Sequence, residues 1–221
     1  MKDHLKLKKN QTLALRLGKV DKHKVSFWSI FSRNKKKSKE SIEQSPFLPK
    51  IKDPVEILFA KNFTKKGGRF IFCETASESD NNFENILKEN NWTEKNIFCN
   101  SKNLILKFGL STSLLNLELN KSNVFLTTCE YLIANKGNIL ISNHQLKNFK
   151  LNELPINLIV FSSINQIASD VSEGMTKLKN KYKKKVPSNI TTLKPKKLIE
   201  ENDFLSYGNS AKNIYLLLQD E

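Results

Sequence analysis

Arg69-Phe70-Ile71-Phe72-Cys73, Asn96-Ile97-Phe98-Cys99 and Val124-Phe125-Leu126-Thr127-Thr128 are the stretches on which the reading of the fold turns. Each is a short, almost continuous apolar run, the pattern of a strand covered on both faces. Between the first two, Phe83, Ile86 and Leu87 mark a helix that ends near Asn91. Between the second and third, Ser101 caps a short helix carrying Leu104, Ile105 and Phe108, and Gly109 stops it. Strand, helix, strand, helix, strand at this spacing predicts an α/β domain built on a mainly parallel sheet with crossover helices.

The pattern extends in both directions. Upstream, Asp53-Pro54-Val55-Glu56 has the makings of a helix start: Asp53 as cap, Pro54 in the first turn and Glu56 reaching back. Val55, Leu58, Phe59 and Phe63 line one face of that helix, and Gly67-Gly68 ends it because glycine enters the left-handed region at low cost. Downstream, Tyr131-Leu132-Ile133-Ala134 and Asn138-Ile139-Leu140-Ile141-Ser142 flank the turn Asn135-Lys136-Gly137. After Leu154-Pro155 comes a strand over 157–161. Ile164, Ile167, Ala168, Val171, Met175, Leu178 and Tyr182 then keep a helical stripe for about five turns. Lysines 177, 179, 181 and 183–185 crowd its far end, where the helix dipole favours cations and where they could also assist in holding an anion. Strands over 188–193 and 213–218 close the domain.

Charge divides the chain differently. The net charge is +15, but residues 1–52 hold 15 Lys/Arg against 4 Asp/Glu, which is +11, and the remainder holds 22 against 18, which is +4. Residues 1–52 therefore read as a basic, disordered N-terminal tail, and 53–221 as the folded domain. In the tail, Phe27-Trp28-Ser29-Ile30-Phe31 precedes Lys35-Lys36-Lys37 and Lys39. That arrangement suits a solvated linker, a weak contact with an anionic membrane through aromatics and lysines, or an RNA attachment by stacking and phosphate pairing.

No run reaches the roughly 18–20 apolar residues of a membrane span, and Arg16 interrupts Leu13–Leu17, too short for a signal-peptide core. The expected compartment is the cytoplasm. Cys73, Cys99 and Cys129 are scattered, as free thiols are in a reducing compartment. They fall short of the about four thiolates that an iron–sulfur cluster requires. G-x-G-x-x-G, Walker A, G-x-S-x-G and H-E-x-x-H motifs are all missing from the sequence, and with His4 and His23 in the tail a histidine-based metal site has no material.

Three places carry candidate chemistry. Thr127-Thr128-Cys129-Glu130 ends a strand, where open α/β sheets bind ligands, so Glu130 is a candidate base or nucleophile as well as a candidate turn cap. His144, in Ser142-Asn143-His144-Gln145, is either a surface loop residue or an acid/base group or ligand donor. The loop Pro187-Ser188-Asn189-Ile190-Thr191-Thr192 offers hydroxyl and backbone donors to a phosphate or carboxylate, or simply leads into a strand.

Taken in order, Thr127-Thr128-Cys129-Glu130-Tyr131-Leu132-Ile133-Ala134, Gly137-Asn138-Ile139-Leu140 and Leu154-Pro155 resemble the core of the LUD-domain family, the lactate-utilisation family of LutC- and YkgG-like proteins, and within it a divergent short branch of Bacteroidetes type. That family has an isoleucine-alanine-glutamate-threonine-glycine turn between two strands, a leucine-leucine-proline stretch, a strand–helix unit, a glycine-proline-serine loop and a terminal apolar strand. Pro187-Ser188 and Asn213–Leu218 occupy the last two places here. Asn135-Lys136 stands where the family has glutamate-threonine, and Asn189-Ile190-Thr191-Thr192 where it has arginine-threonine-alanine-aspartate.

The resemblance spans about 53–221. It implies a NagB/RpiA/CoA-transferase-like fold, an accessory role in the oxidation of L-lactate or a related organic acid, an iron–sulfur oxidoreductase subunit as partner, and no cofactor of the chain's own. The candidate ligand-binding residues are Thr127, Thr128, Asn135, Gly137, Ser188, Asn189 and Thr191. Two other functions stay open: a binder or enzyme for a small carboxylate or phosphate, using Glu130 and the 187–192 loop, and a basic membrane- or RNA-associated interaction protein. The branch also tends to begin near Phe27–Phe31, which implies translation from Val25.

Overall fold

The computed structural model describes residues 53–112, 119–183, 185–196 and 211–220. The tail with its aromatic–lysine cluster, and the start at Val25, lie outside the described residues. Those described all belong to the compact unit Ile51–Glu221.

Five strands form a parallel sheet in the order β2-β3-β6-β9-β1: β1 Arg69–Cys73, β2 Ile97–Cys99, β3 Val124–Thr128, β6 Asn157–Ser163 and β9 Ala211–Gln219. The three opening strands are those the apolar runs predict. At the centre, β9 pairs Asn213–Gln219 with all of β6 on one side and Tyr215–Gln219 with β1 on the other. Ile214 to Leu218 are all buried, as a strand covered on both faces requires. Helices α1 Val55–Lys65, α2 Ala76–Glu89 and α3 Lys102–Lys107 join this sheet. Phe83 and Ile86 of α2 and Leu104 and Ile105 of α3 share one core with Val124, Leu126, Ile159 and Leu217.

A second group of strands extends the sheet through β9: β8 Thr191–Pro195, β5 Asn138–Ile141, β4 Tyr131–Ile133 and β7 Ile167–Ala168. The β4–β5 hairpin and the β5–β8 pair are antiparallel, so the sheet is mainly, not wholly, parallel. Helix α5, Val171–Lys181, packs Leu178 and Met175 against Tyr131, Ile133 and Leu140. Between β5 and β6 lies the short turn of helix α4, Asn143–Leu146.

Three local expectations are corrected. The stripe from Ile164 to Tyr182 is not one helix. Ser163 and Gln166 cap a 3-10 turn over Ile164–Gln166, Ile167-Ala168 pairs as β7 with Leu132 and Ile133, and the helix starts only after Asp170, whose carboxylate accepts from the Glu173 N–H at 2.9 Å. At α1, Pro54 occupies the cap position and Asp53 instead pairs with Lys61 at 2.7 Å. The penultimate strand begins at Thr191, three residues later than expected (188 to 191), because Ser188 and Asn189 turn the chain and Asn189 has φ 51°.

Candidate functional site

Thr128 is the last residue of β3 and Tyr131 the first of β4, so Cys129-Glu130 is the joint between the parallel sheet and the hairpin. The joint is fixed from several directions. The Glu130 N–H donates to Leu140 O at 2.8 Å, the Gln166 amide donates to Cys129 O at 2.8 Å and Glu130 O at 3.2 Å, and Cys129 Sγ meets Ser162 Oγ at 3.3 Å. Burial pushes the Cys129 thiol up to about 12, which makes it inert. The three cysteines are free and buried.

Hairpin pairing sets Tyr131 opposite Leu140, and this register brings the residues flanking the open end together. The Glu130 carboxylate, with no exposed surface, accepts from Ser142 Oγ at 2.8 Å and Gln145 Nε2 at 3.2 Å. Ser142 and Gln145 are held by a capping box that shapes α4. Across from them, α5 delivers Lys181 Nζ at 3.3 Å and Tyr182 Oη at 3.1 Å from the same carboxylate. His144 Nδ1 lies 3.4 Å from Glu130 Oε1 and 3.1 Å from Tyr182 Oη.

Burial works against the Glu130 charge. The Ser142 hydrogen bond, the Lys181 charge and the Gln145 amide outweigh it and hold the carboxyl below its ordinary range. Lys181 loses by partial burial but gains more from Glu130, and is raised. Burial and the Glu130 charge raise the Tyr182 phenol, so it stays protonated and donates to Glu130.

Beside this network a crevice of about 270 Å³ opens beyond the carboxyl ends of β2 and β3. Its walls include Asn100 and Lys102 after β2, Thr127 and Thr128 of β3, and His144 and Lys147 of the α4 turn. Asn100 Nδ2 donates to Gln145 O at 2.7 Å, tying the two rims together. Neither the Lys102 nor the Lys147 ammonium has an ion pair or hydrogen bond among the described residues. The position agrees with the rule that open parallel sheets bind ligands outside their strand carboxyl ends, and two free cations with hydroxyl and amide donors suit a small anion. Among the described residues no cluster of three His, Cys, Asp or Glu side chains is placed to hold a metal, and no helix is long and apolar enough to cross a membrane.

The predicted site residues thus divide. Thr127, Thr128 and His144 line the crevice, with Glu130 enclosed behind His144. Ser188 touches the rim through its carbonyl, which accepts from the Asn143 N–H at 3.0 Å, and Thr191 is a ladder residue opposite Ile141. Asn135 and Gly137 lie at the hairpin tip against α1, where Asn62 Nδ2 donates to Asn135 O at 3.3 Å. Lys102, Lys147, Asn100 and the hydroxyl of Tyr182 join the site without any motif in the sequence to mark them. The S-x-x-Q spacing of Ser142 and Gln145 was the available sign that His144 sits on a capped turn.

Fold and crevice together define an α/β domain that gathers its polar groups beyond the strand ends of a mainly parallel sheet. The model of the LUD domain matches residues 57–218, and the chain belongs to the LUD-domain family. The crystal structure of a DUF162-family protein from Deinococcus radiodurans has the same fold, with a TM-score of 0.52 and 14% identity over 76% of this chain and 96% of that one. Among curated proteins none matches.

Proposed function

We propose that this LUD-domain chain binds a small organic acid in the crevice and serves, in the cytoplasm, as a component of the oxidation of L-lactate or a related acid. The crevice carries this reading: it is smaller than the roughly 300–1,000 Å³ of drug-sized sites, and at about 270 Å³ it presents Lys102 and Lys147 to a carboxylate and Thr128 to a hydroxyl or carbonyl, with Thr127 buried in its wall. Oxidation of a 2-hydroxy acid to a 2-oxo acid releases two electrons and two protons. The electrons pass to an iron–sulfur oxidoreductase partner, since three dispersed, buried thiols give this chain no cluster site of its own.

Two measurements test the reading. Melting of the whole chain is followed in L-lactate, pyruvate, phosphate and chloride at matched ionic strength. A bound acid at about 100 times its dissociation constant adds ~2.7 kcal/mol, and Lys147→Gln weakens the effect. Equal shifts in lactate and chloride would reduce the crevice to a screened basic patch. Affinity purification of the tagged chain from its host, with iron analysis, is expected to bring down an iron–sulfur subunit. A clean, iron-free chain removes the partner.

A further inference from the structure

We propose that His144 is the proton-transfer residue of the crevice and that Glu130 and Tyr182 are its positioning residues. The inference rests on the organic-acid reading above and names the group that would act on the acid's hydroxyl.

The geometry is specific to one edge of the imidazole. Nδ1 faces the enclosed Glu130 carboxylate at 3.4 Å and the Tyr182 hydroxyl at 3.1 Å, and that hydroxyl is itself 3.1 Å from Glu130 Oε2. Tyr182 O–H donates to the carboxylate, so its oxygen is left to accept, and Nδ1–H shares that acceptor with the Lys181 ammonium. A proton on Nδ1 is thereby favoured twice, by the direct charge of Glu130 and through Tyr182. The other ring nitrogen, Nε2, has no partner among the described residues, and the side chain is 42% exposed in the crevice wall. An imidazole protonated on Nδ1 has its lone pair on Nε2, which is the acceptor that a general base needs.

The step is a proton transfer. The O–H bond of the bound acid breaks, its electron pair stays on oxygen, and an N–H bond forms at Nε2. The imidazolium that results has the buried Glu130 carboxylate 3.4 Å behind its Nδ1, and the reverse step returns the proton. The backbone that carries the ring is held by Ser142, whose hydroxyl accepts from the His144 backbone N–H at 3.1 Å while donating to Glu130 at 2.8 Å, and the ring itself lies edge-on to Tyr182. Among the described residues, the other charged groups facing this space are Lys181 on the Glu130 side and Lys102 and Lys147 on the crevice side. The crevice lysines fix the carboxylate of the acid.

The test is nitrogen NMR of the whole chain with labelled histidine, at neutral pH. His144 is expected as the Nδ1–H tautomer in the wild type, with population moving to Nε2–H in Glu130→Gln. Where Glu130→Gln fails to fold, Tyr182→Phe gives the same readout with the carboxylate and its other partners intact. L-lactate is expected to shift the Nε2 resonance. A wild-type Nε2–H tautomer, a tautomer indifferent to both variants, or lactate binding that leaves Nε2 unshifted overturns the inference alone. Failure of every acid to perturb the crevice residues overturns the organic-acid reading and this inference with it.

Discussion

At its open end the β4–β5 hairpin presents Glu130 and Ser142; at its tip it presents Asn135, Lys136 and Gly137. Both ends are polar and both carried candidate ligand residues, yet their side chains face different neighbours. The open end buries Glu130 and Ser142 in a network with Gln145, Lys181 and Tyr182, and the crevice beside it leaves His144 Nε2 and the Lys102 and Lys147 ammonium groups without a partner among the described residues. The tip spends its polar atoms on α1: Asn62 Nδ2 donates to Ala134 O at 2.8 Å and Asn135 O at 3.3 Å, and Lys66 donates to Asn138 Oδ1 at 2.9 Å and to Lys136 O. The contrast shows that a polar turn beside a strand is a site only where its donors are left over after the backbone has been satisfied.

The largest effect expected at the tip is that of Gly137→Ala. Gly137 has φ +54°, and an added Cβ would lie 2.4 Å from Phe63 N and 2.5 Å from the Asn62 carbonyl carbon, both backbone atoms that cannot swing aside. The left-handed conformation and the overpacking together cost about 3 kcal/mol. Urea unfolding should show that loss while the lactate response of the folded fraction is unchanged. A loss below ~1 kcal/mol would mean that tip and α1 separate easily, and the tip would return as a candidate ligand loop.

At the open end, Glu130→Leu should cost about 2–3 kcal/mol, because Lys181, Ser142 and Gln145 keep their donors but lose the acceptor. Glu130→Gln costs less and separates charge from shape. The folded carboxyl lies below its ordinary range, so its contribution is complete above the ordinary carboxylate pKa and is lost as pH falls through the folded value. Urea midpoints taken down the acid limb should therefore fall less steeply in Glu130→Gln than in the wild type. Parallel limbs would show that the carboxylate is not stabilised by the network.

The two ends also differ in how much of them the sequence discloses. The β1, β2 and β3 runs are legible because burial on both faces leaves no polar position, and the hairpin because Asn-Lys-Gly supplies a left-handed residue, Gly137, where the chain reverses. Pairing Tyr131 with Leu140 across that turn is enough to bring Glu130 near Ser142. Tyr182 is different. Its hydroxyl reaches Glu130 from 52 residues away, and its ring falls on an apolar stripe that reads as helix packing alone. The same stripe misleads at Ile164, Ile167 and Ala168, where a half-buried residue of a 3-10 turn and two buried residues of a short strand fall at helical spacing. Spacing records which residues are buried, and three different elements wrote this one record.

The smallest effect tests whether the acid response belongs to the open end. Glu173, near the start of α5, accepts from the Ser169 N–H at 2.7 Å and pairs with Lys177 at 2.8 Å; those hydrogen bonds, from Lys177 first and then Ser169, bring its carboxyl down to about 2. The contribution of Glu173 is present above the ordinary carboxylate pKa and drains away as pH falls toward about 2. With 40% of the side chain exposed, solvent screens most of that shift, and Glu173→Gln should cost no more than about 1 kcal/mol. The cost should appear at pH 6 and vanish near pH 2, with the Glu130-dependent part of the acid limb still in place. A Glu173→Gln protein whose acid limb is as flat as that of Glu130→Gln would move the acid response from the hairpin to the helix that faces it, and the buried carboxylate would have to be read as packing.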